Sequence, residues 1–527
     1  MLLLSLIIFS GLNFCDTPAD CDKSQIIGNW TFQIESPSSE PDLNCMSHGE
    51  IAPNTTIHVI LEEPNIAKSE KGDIGNWTMV DIEGISIYLG GYHYFALFQY
   101  IEDEDEAGKT IYYNYCNQTR GGWQNLDIVK PQNFSCFVAT KDINTTQQQQ
   151  HDQQQSALHR IVRLREDYQQ QSSSSKYQQF KTKNQQYIKQ SKPIQPVPSD
   201  PRQIAQFPDS LDWSNQNSYD FTDPVYNQGQ CGSCYAFGAL GMLETRFSIQ
   251  MNKTVDNSLS VQDVVSCSHY TQGCDGGYGL EVSQWARDHG IVSSKCFPYQ
   301  QAQSGLPEIS CEFKLCTEQG IQQDRRTYYA ENVHYAGGFY GNCSEEAMIR
   351  ELQNGPIAIS IYASLEPFNE YKSGIFDYEY TDIQPSDHLV LLVGYGIYEE
   401  RNPTTGEKIT TPFWKLKNSW GQSWGENGFM RIIRGKNLLN IESEAEVADP
   451  YIIPGLYWPD EQSPQDQKKQ KAMVAAIISL ALVSFVLLMC TIVFGFIAFM
   501  KRKSVDDGYA VVGGSGFEFA GGKIQNQ

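Results

Sequence analysis

The stretch from residue 147 to residue 195 contains sixteen glutamines in 49 positions and a serine run at 172–175. A segment of this composition buries too little apolar surface to offset its conformational entropy, so it reads as a linker. One continuous core is therefore excluded, and the chain must fold as separate units on either side. Length agrees, since 527 residues exceed one domain of about 150. The segment also reverses the local charge. Residues 142–206 carry nine Lys/Arg against five Asp/Glu inside a chain of net charge −23. That reversal suits a segment that lies on acidic neighbours, is cut out, or is a solvated spacer; a short amphipathic helix at 158–168 is compatible with it. The acidic remainder repels phosphate backbones, which excludes nucleic acid as the main partner.

The two ends suggest a compartment. Residues 1–15 hold an apolar run too short to span a bilayer and read as a signal peptide cut between Cys15 and Asp16. Residues 472–500 form an uncharged run of 29, long enough as a helix to cross a hydrocarbon core of about 30 Å. Lys468, Lys469 and Lys471 precede it and Lys501, Arg502 and Lys503 follow, so the signal peptide sets the orientation. Residues 16–471 are then lumenal or extracellular, with 455–471 as a stalk and 501–527 as a cytosolic tail. Eight Asn-x-Ser/Thr sequons, at Asn29, Asn54, Asn76, Asn117, Asn133, Asn144, Asn252 and Asn342, all precede the span. In the tail, Tyr509-Ala510-Val511-Val512 fits a tyrosine-based endosomal sorting pattern. Fourteen cysteines match an oxidising compartment.

Residues 16–141 are dense in short aromatic and β-branched runs separated by glycine pairs, which predicts an all-β unit, sandwich or barrel. Residues 207–454 read as α then β. Apolar residues recur at helical spacing from Cys234 through Phe237, Leu240, Leu243 and Phe247, and Val390-Leu391-Leu392-Val393 reads as a buried strand.

The strongest chemical signal is Gln228-Gly229-Gln230-Cys231-Gly232-Ser233-Cys234-Tyr235-Ala236-Phe237. A cysteine in the first helical turn faces unpaired N–H groups and the positive end of the helix dipole, which favours thiolate over thiol. An imidazolium partner can take the thiol from about 8.5 to about 3 or 4, roughly 6 kcal/mol in favour of the ion pair. Cys234 could instead form a structural disulfide, a redox pair with Cys231, or half a zinc site, although no second pair with zinc-ligand spacing follows. Two distant residues complete a nucleophilic set: His388, leading into the apolar strand, and Asn418, in Asn418-Ser419-Trp420-Gly421.

On these motifs residues 207–454 resemble the papain family of cysteine peptidases. The resemblance implies that Cys234 attacks the substrate carbonyl, His388 shuttles protons, Asn418 holds the imidazole, Trp420 shields that bond, and Gln228 donates to the oxyanion. It makes Gly276-Gly277 the substrate-binding strand and requires no metal. Tyr235, the segments 267–274 and 335–341, and Asp16-Thr17-Pro18-Ala19-Asp20-Cys21 are similar to the cathepsin C group within that family. The implied fold class is α+β: a two-lobed peptidase, with a helical lobe and a β-barrel lobe, preceded by an all-β exclusion-type barrel. The implied activity is removal of dipeptides from free N-termini, with the Asp16 carboxylate receiving the substrate ammonium; a papain-like endopeptidase and an inactive adhesion ectodomain are the alternatives.

The implied disulfides are Cys21–Cys116, Cys45–Cys136, Cys231–Cys274, Cys267–Cys311 and Cys296–Cys316, with Cys343 unpaired and Cys490 in the span. Members of the group bind chloride through two tyrosines. Tyr335 resembles one, while Tyr278-Gly279-Leu280 is shorter than the family loop and lacks the other, so the resemblance carries chloride only in part. Peptide and protein substrates, a homo-oligomer, and an acidic lysosome- or endosome-like lumen or the cell surface follow as expectations.

Overall fold

The computed structural model describes residues 19–39, 43–46, 51–104, 110–131, 133–142, 193–222, 224–251, 258–300, 309–311, 328–379 and 384–452. The chain divides into two compact units, Met1–Leu456 and Tyr457–Gln527. Among the described residues no helix is long and apolar enough to cross a membrane. The signal peptide, the glutamine-rich segment with its helix at 158–168, and the span at 472–500 lie outside the described residues.

The first half is a barrel of nine strands: β1 (Gly28–Ile34), β2 (Thr55–Glu62), β3 (Ile66–Ser69), β4 (Ile74–Val80), β5 (Gly84–Leu89), β6 (Tyr92–Glu104), β7 (Thr110–Thr119), β8 (Gly122–Leu126) and β9 (Phe134–Lys141). Neighbouring strands pair antiparallel, and β1 also pairs with β9, Phe32 opposite Ala139, which closes the sheet. Closure removes the exposed edges that an open sheet would present. Alternation puts Trp30, Phe32 and Ile34 of β1 inside. Phe32 stacks on Phe137 at 5.2 Å and meets Tyr94 edge-on at 5.6 Å. Trp30 Nε1 donates to the Ile26 carbonyl at 2.7 Å and Trp123 Nε1 to that of Leu43 at 2.7 Å, so the buried indoles keep their hydrogen bonds.

The second half joins helices α1 (Cys234–Gln250), α2 (Val261–Cys267), α3 (Gly279–Asp288) and α4 (Glu345–Leu352) to a mainly antiparallel sheet of β10 (Leu211–Asp212), β11 (Tyr329–Tyr335), β12 (Ile357–Ile361), β13 (Ile375–Phe376), β14 (His388–Arg401), β15 (Lys408–Lys417), β16 (Phe429–Ile433) and β17 (Ala445–Tyr451). Helix α1 is buried on nearly every face because it lies between the other helices and β14. Its Arg246 is 1% exposed and crosses to β17, where Nη1 pairs with Asp449 Oδ1 at 2.6 Å. Ile359, Val390, Leu392, Trp414, Leu416 and Met430 form the core of the sheet lobe.

The barrel docks on α3 and the loop before it. Asn125 Nδ2 donates to Asp288 Oδ2 at 2.9 Å, the Tyr270 hydroxyl donates to the same oxygen at 3.0 Å, and Arg287 pairs with Asp127. Tyr270 also packs against Trp123 at 4.8 Å and Phe95 at 5.2 Å. A buried carboxyl that accepts from Asn125, Tyr270 and Gln284 and has an adjacent guanidinium makes this a specified seam between the halves.

Candidate active site

Helix α1 begins at Cys234 for local reasons. Gly229 takes φ 66°, a conformation open to glycine, and the Cys231–Cys274 disulfide pins the approach with its Cα atoms 4.7 Å apart. Gly232 N donates to the Cys274 carbonyl at 3.0 Å. Ser233 precedes the helix without capping it; its Oγ lies 2.8 Å from the Tyr299 hydroxyl, which is 2.8 Å from the Gln228 carbonyl. Cys234 thus sits in the first turn, fully buried. Its sulfur is disulfide-bonded, so any nucleophilic role requires the reduced thiol.

One turn further along α1, a Cβ on Gly238 would fall 2.9 Å from Leu389 Cδ2. The absent side chain lets the helix lie directly on β14, whose first residue is His388. His388 Nε2 donates to Asn418 Oδ1 at 2.8 Å, leaving Nδ1 for proton transfer. The Ser419 N–H donates to the same Oδ1 at 2.8 Å and fixes the amide orientation, since only an acceptor can face a backbone donor. Trp420 lies over the imidazole with ring centroids 4.9 Å apart and is itself braced by Phe368 and Trp424. Burial pulls the His388 pKa from 6.5 down to about 4, against the opposing pull of the Asn418 bond.

Gln228 is held by the same strand end. Its N–H donates to the Ser419 carbonyl at 2.9 Å, Ser419 Oγ donates to its Oε1 at 2.6 Å, and its Nε2 donates to the Cys231 carbonyl at 3.1 Å. The remaining Nε2 proton is a donor with a fixed origin beside the helix start. Gly276 and Gly277 have φ 131° and 154°, and a Cβ on Gly277 would lie 3.0 Å from both Thr271 Cβ and Tyr235 Cε2. Both the backbone and the packing therefore call for glycine. Tyr235 secures this loop by donating from its hydroxyl to the Gly273 carbonyl at 2.8 Å.

The structure thus gathers Gln228, Cys234, His388, Asn418 and Trp420 around the first turn of α1, with the glycine strand held by Tyr235. Asp16 lies outside the described residues. Among the described residues, disulfides with both ends described pair Cys21–Cys116, Cys45–Cys136, Cys231–Cys274 and Cys267–Cys311. Cys296 is disulfide-bonded and Cys316 lies outside the described residues, while Cys343 is free and buried. Sequence reasoning assigned no role to Ser419 or Tyr299; neither carries a motif of its own, and only their contacts with Gln228 and Ser233 reveal them. Tyr335 and Tyr278, at the positions weighed for chloride, both lie against acidic residues. Tyr335 is paired directly opposite Glu446, its hydroxyl accepts from the Asp81 N–H at 3.2 Å, and the Tyr278 hydroxyl donates to Glu83. An anion there would sit among carboxylates.

Residues 207–448 match the family described as papain family cysteine protease, and residues 16–141 match the cathepsin C exclusion domain. Cathepsin C of Schistosoma mansoni is 28% identical over 484 residues, covering 85% of this chain and 98% of that one. A cathepsin L-like protein of Caenorhabditis elegans is 35% identical over 235 residues, 44% of this chain and 61% of its own. Procathepsin L of Rattus norvegicus is 32% identical over 238 residues, 44% of this chain and 63% of its own. Through residues 207–448 the chain belongs to the papain family of cysteine peptidases, and a cathepsin C exclusion domain precedes that unit.

Proposed function

We propose that the protein is a dipeptidyl exopeptidase that removes two residues at a time from free peptide N-termini. The observation that carries this reading is the docking of the exclusion barrel on α3, the helix that continues the Gly276-Gly277 strand. A wall at that point limits how far an extended substrate can run past the glycine strand. Once reduced, Cys234 Sγ attacks the carbonyl carbon, and the oxyanion receives hydrogen bonds from Gln228 Nε2 and the Cys234 N–H. His388, protonated at Nδ1, passes its proton to the leaving amine. The resulting thioester is hydrolysed by a water whose proton returns to His388. Asn418 keeps the imidazole in the tautomer that this shuttle needs, and Trp420 excludes water from their bond.

Asp16, at the expected mature N-terminus, is the candidate receptor for the substrate ammonium. A charge-assisted hydrogen bond of about 1.5–3 kcal/mol there would give roughly 10- to 150-fold preference for a free amine. The apolar run at 472–500 supports a membrane-anchored ectodomain in an acidic lumen, and Asn29, Asn54, Asn76 and Asn133 are exposed, as glycan acceptors must be. The test is a dipeptidyl reporter offered to the reduced protein with its amine free and N-acetylated. Cleavage of the free form alone is expected, and equal cleavage of both would remove the exopeptidase reading.

A further inference from the structure

The two groups proposed to face the oxyanion come from stretches of chain that no regular structure connects. Gln228 precedes the turn at Gly229, the Cys234 N–H belongs to the first turn of α1, and residues 229–232 between them form neither helix nor strand. Tyr299, from a third segment, joins the two. A phenol carries one proton and a carbonyl only accepts, so the Tyr299 hydroxyl donates to the Gln228 carbonyl at 2.8 Å and accepts from Ser233 Oγ at 2.8 Å. The Ser233 hydroxyl is thereby committed to Tyr299 and caps no N–H of α1. Tyr299 is itself fixed from three sides. Its ring meets Phe237, on the helix that begins with Cys234, edge-on at 5.0 Å. Ser260 Oγ donates to the Phe297 carbonyl at 2.6 Å before it, and the Gln300 N–H donates to Gln262 Oε1 at 2.9 Å after it. Ser260, the N-cap of α2, and Gln262, in its first turn, are both fully buried. Burial raises the Tyr299 pKa to about 12, so the proton that reaches Gln228 is retained at neutral and acidic pH.

We infer that Tyr299 is a positioning residue for transition-state stabilisation: its hydroxyl sets the Gln228 side-chain amide and the first turn of α1 at the spacing that lets both donate to one oxyanion. The inference rests on the peptidase mechanism above and adds a residue to it. The tip of the Gln228 side chain is already held by Ser419 and the Cys231 carbonyl. Tyr299 supplies what they do not, a tie between the Gln228 main chain and the residue before Cys234. Oxyanion donors act over a narrow range, about 2.7–3.1 Å from the developing charge. The oxyanion exists only after attack, so loosening either segment lowers kcat and leaves ground-state binding as it is.

The test compares Tyr299→Phe, which keeps the ring on Phe237 and loses the hydroxyl, with the unmodified protein, both reduced, on a free-amine dipeptidyl reporter and on an N-blocked peptide. On whichever substrate the unmodified protein cleaves, kcat is expected to fall about tenfold while KM changes less than about twofold. Alkylation of Cys234 by iodoacetamide forms no oxyanion and should keep its rate. In a Gln228→Ala background the same substitution should cost less than about twofold, because the donor it positions is gone. An unchanged kcat overturns the inference. So does a loss that persists in Gln228→Ala or is matched by slower alkylation, since each puts the effect elsewhere than the oxyanion. Cleavage of the blocked peptide alone removes the exopeptidase reading and leaves this comparison intact. If the unmodified protein cleaves neither substrate, the peptidase reading falls, and affinity for a peptide aldehyde, whose adduct with Cys234 puts an oxygen at the oxyanion position without turnover, decides the role of Tyr299. Binding weakened roughly tenfold in Tyr299→Phe then supports it, and equal binding or no adduct overturns it.

Discussion

Removing the Cys234 sulfur by Cys234→Ala is expected to leave His388 titrating near 4, where burial, partly opposed by the Asn418 bond, puts it. The displacement from 6.5 to about 4 disfavours the imidazolium by roughly 3 kcal/mol, at about 1.4 kcal/mol per pH unit. A thiolate about 4 Å away contributes roughly 4 kcal/mol in the opposite direction at an effective dielectric near 20, which is enough to restore the proton. On the proposed mechanism the ion pair is therefore a property of the two residues together. The measurement is the pH dependence of the histidine ring resonances by NMR in the reduced protein and in Cys234→Ala. Because the His388 pKa in the variant lies below its unfolded value, the unfolded chain binds the proton first. Stability is then fully present above pH 6.5 and declines as pH falls towards 4, by roughly 3 kcal/mol in all. A His388 titration at or above 6 in Cys234→Ala would refute the reasoning, since burial would then not be the dominant influence.

Four further outcomes follow from the same geometry. Asn418→Ala removes the acceptor at 2.8 Å from His388 Nε2 and should lower kcat/KM by roughly 10- to 150-fold, with a parallel fall in the rate of Cys234 alkylation. Gln228→Ala should lower kcat about 100-fold or more with little change in KM, because the oxyanion exists only after attack; a change confined to KM would contradict that role. Gly277→Ala meets Thr271 and Tyr235 at 3.0 Å and forces φ 154° on a residue with a side chain, so steady-state kinetics should show a raised KM. Asp449→Ala removes the one carboxylate paired with the buried Arg246 guanidinium, leaving it the carbonyls of Pro356, Glu351 and Gly355, and should cost about 3 kcal/mol, read as a lowered urea midpoint at unchanged m.

How much of this was legible in the sequence depended on whether a residue's role is local. Cys234 at a helix start and the glycine pair act through short-range chemistry and could be read directly. The Phe32–Ala139 pairing that closes the barrel could not, because alternation tells which face a strand buries without telling which strand it meets. Helical spacing in α1 suggested one apolar face, whereas the helix is buried nearly all round because the sheet lobe and the other helices enclose it. The buried acidic cluster is the hardest case. Glu444-Ala445-Glu446 has the alternation of a strand with one polar, solvated face, and nothing near it in sequence points to Asp81 or Glu281. Only the pairing of β17 with β11 and β12, and the arrival of the barrel on the loop around Tyr278, put both glutamates inside.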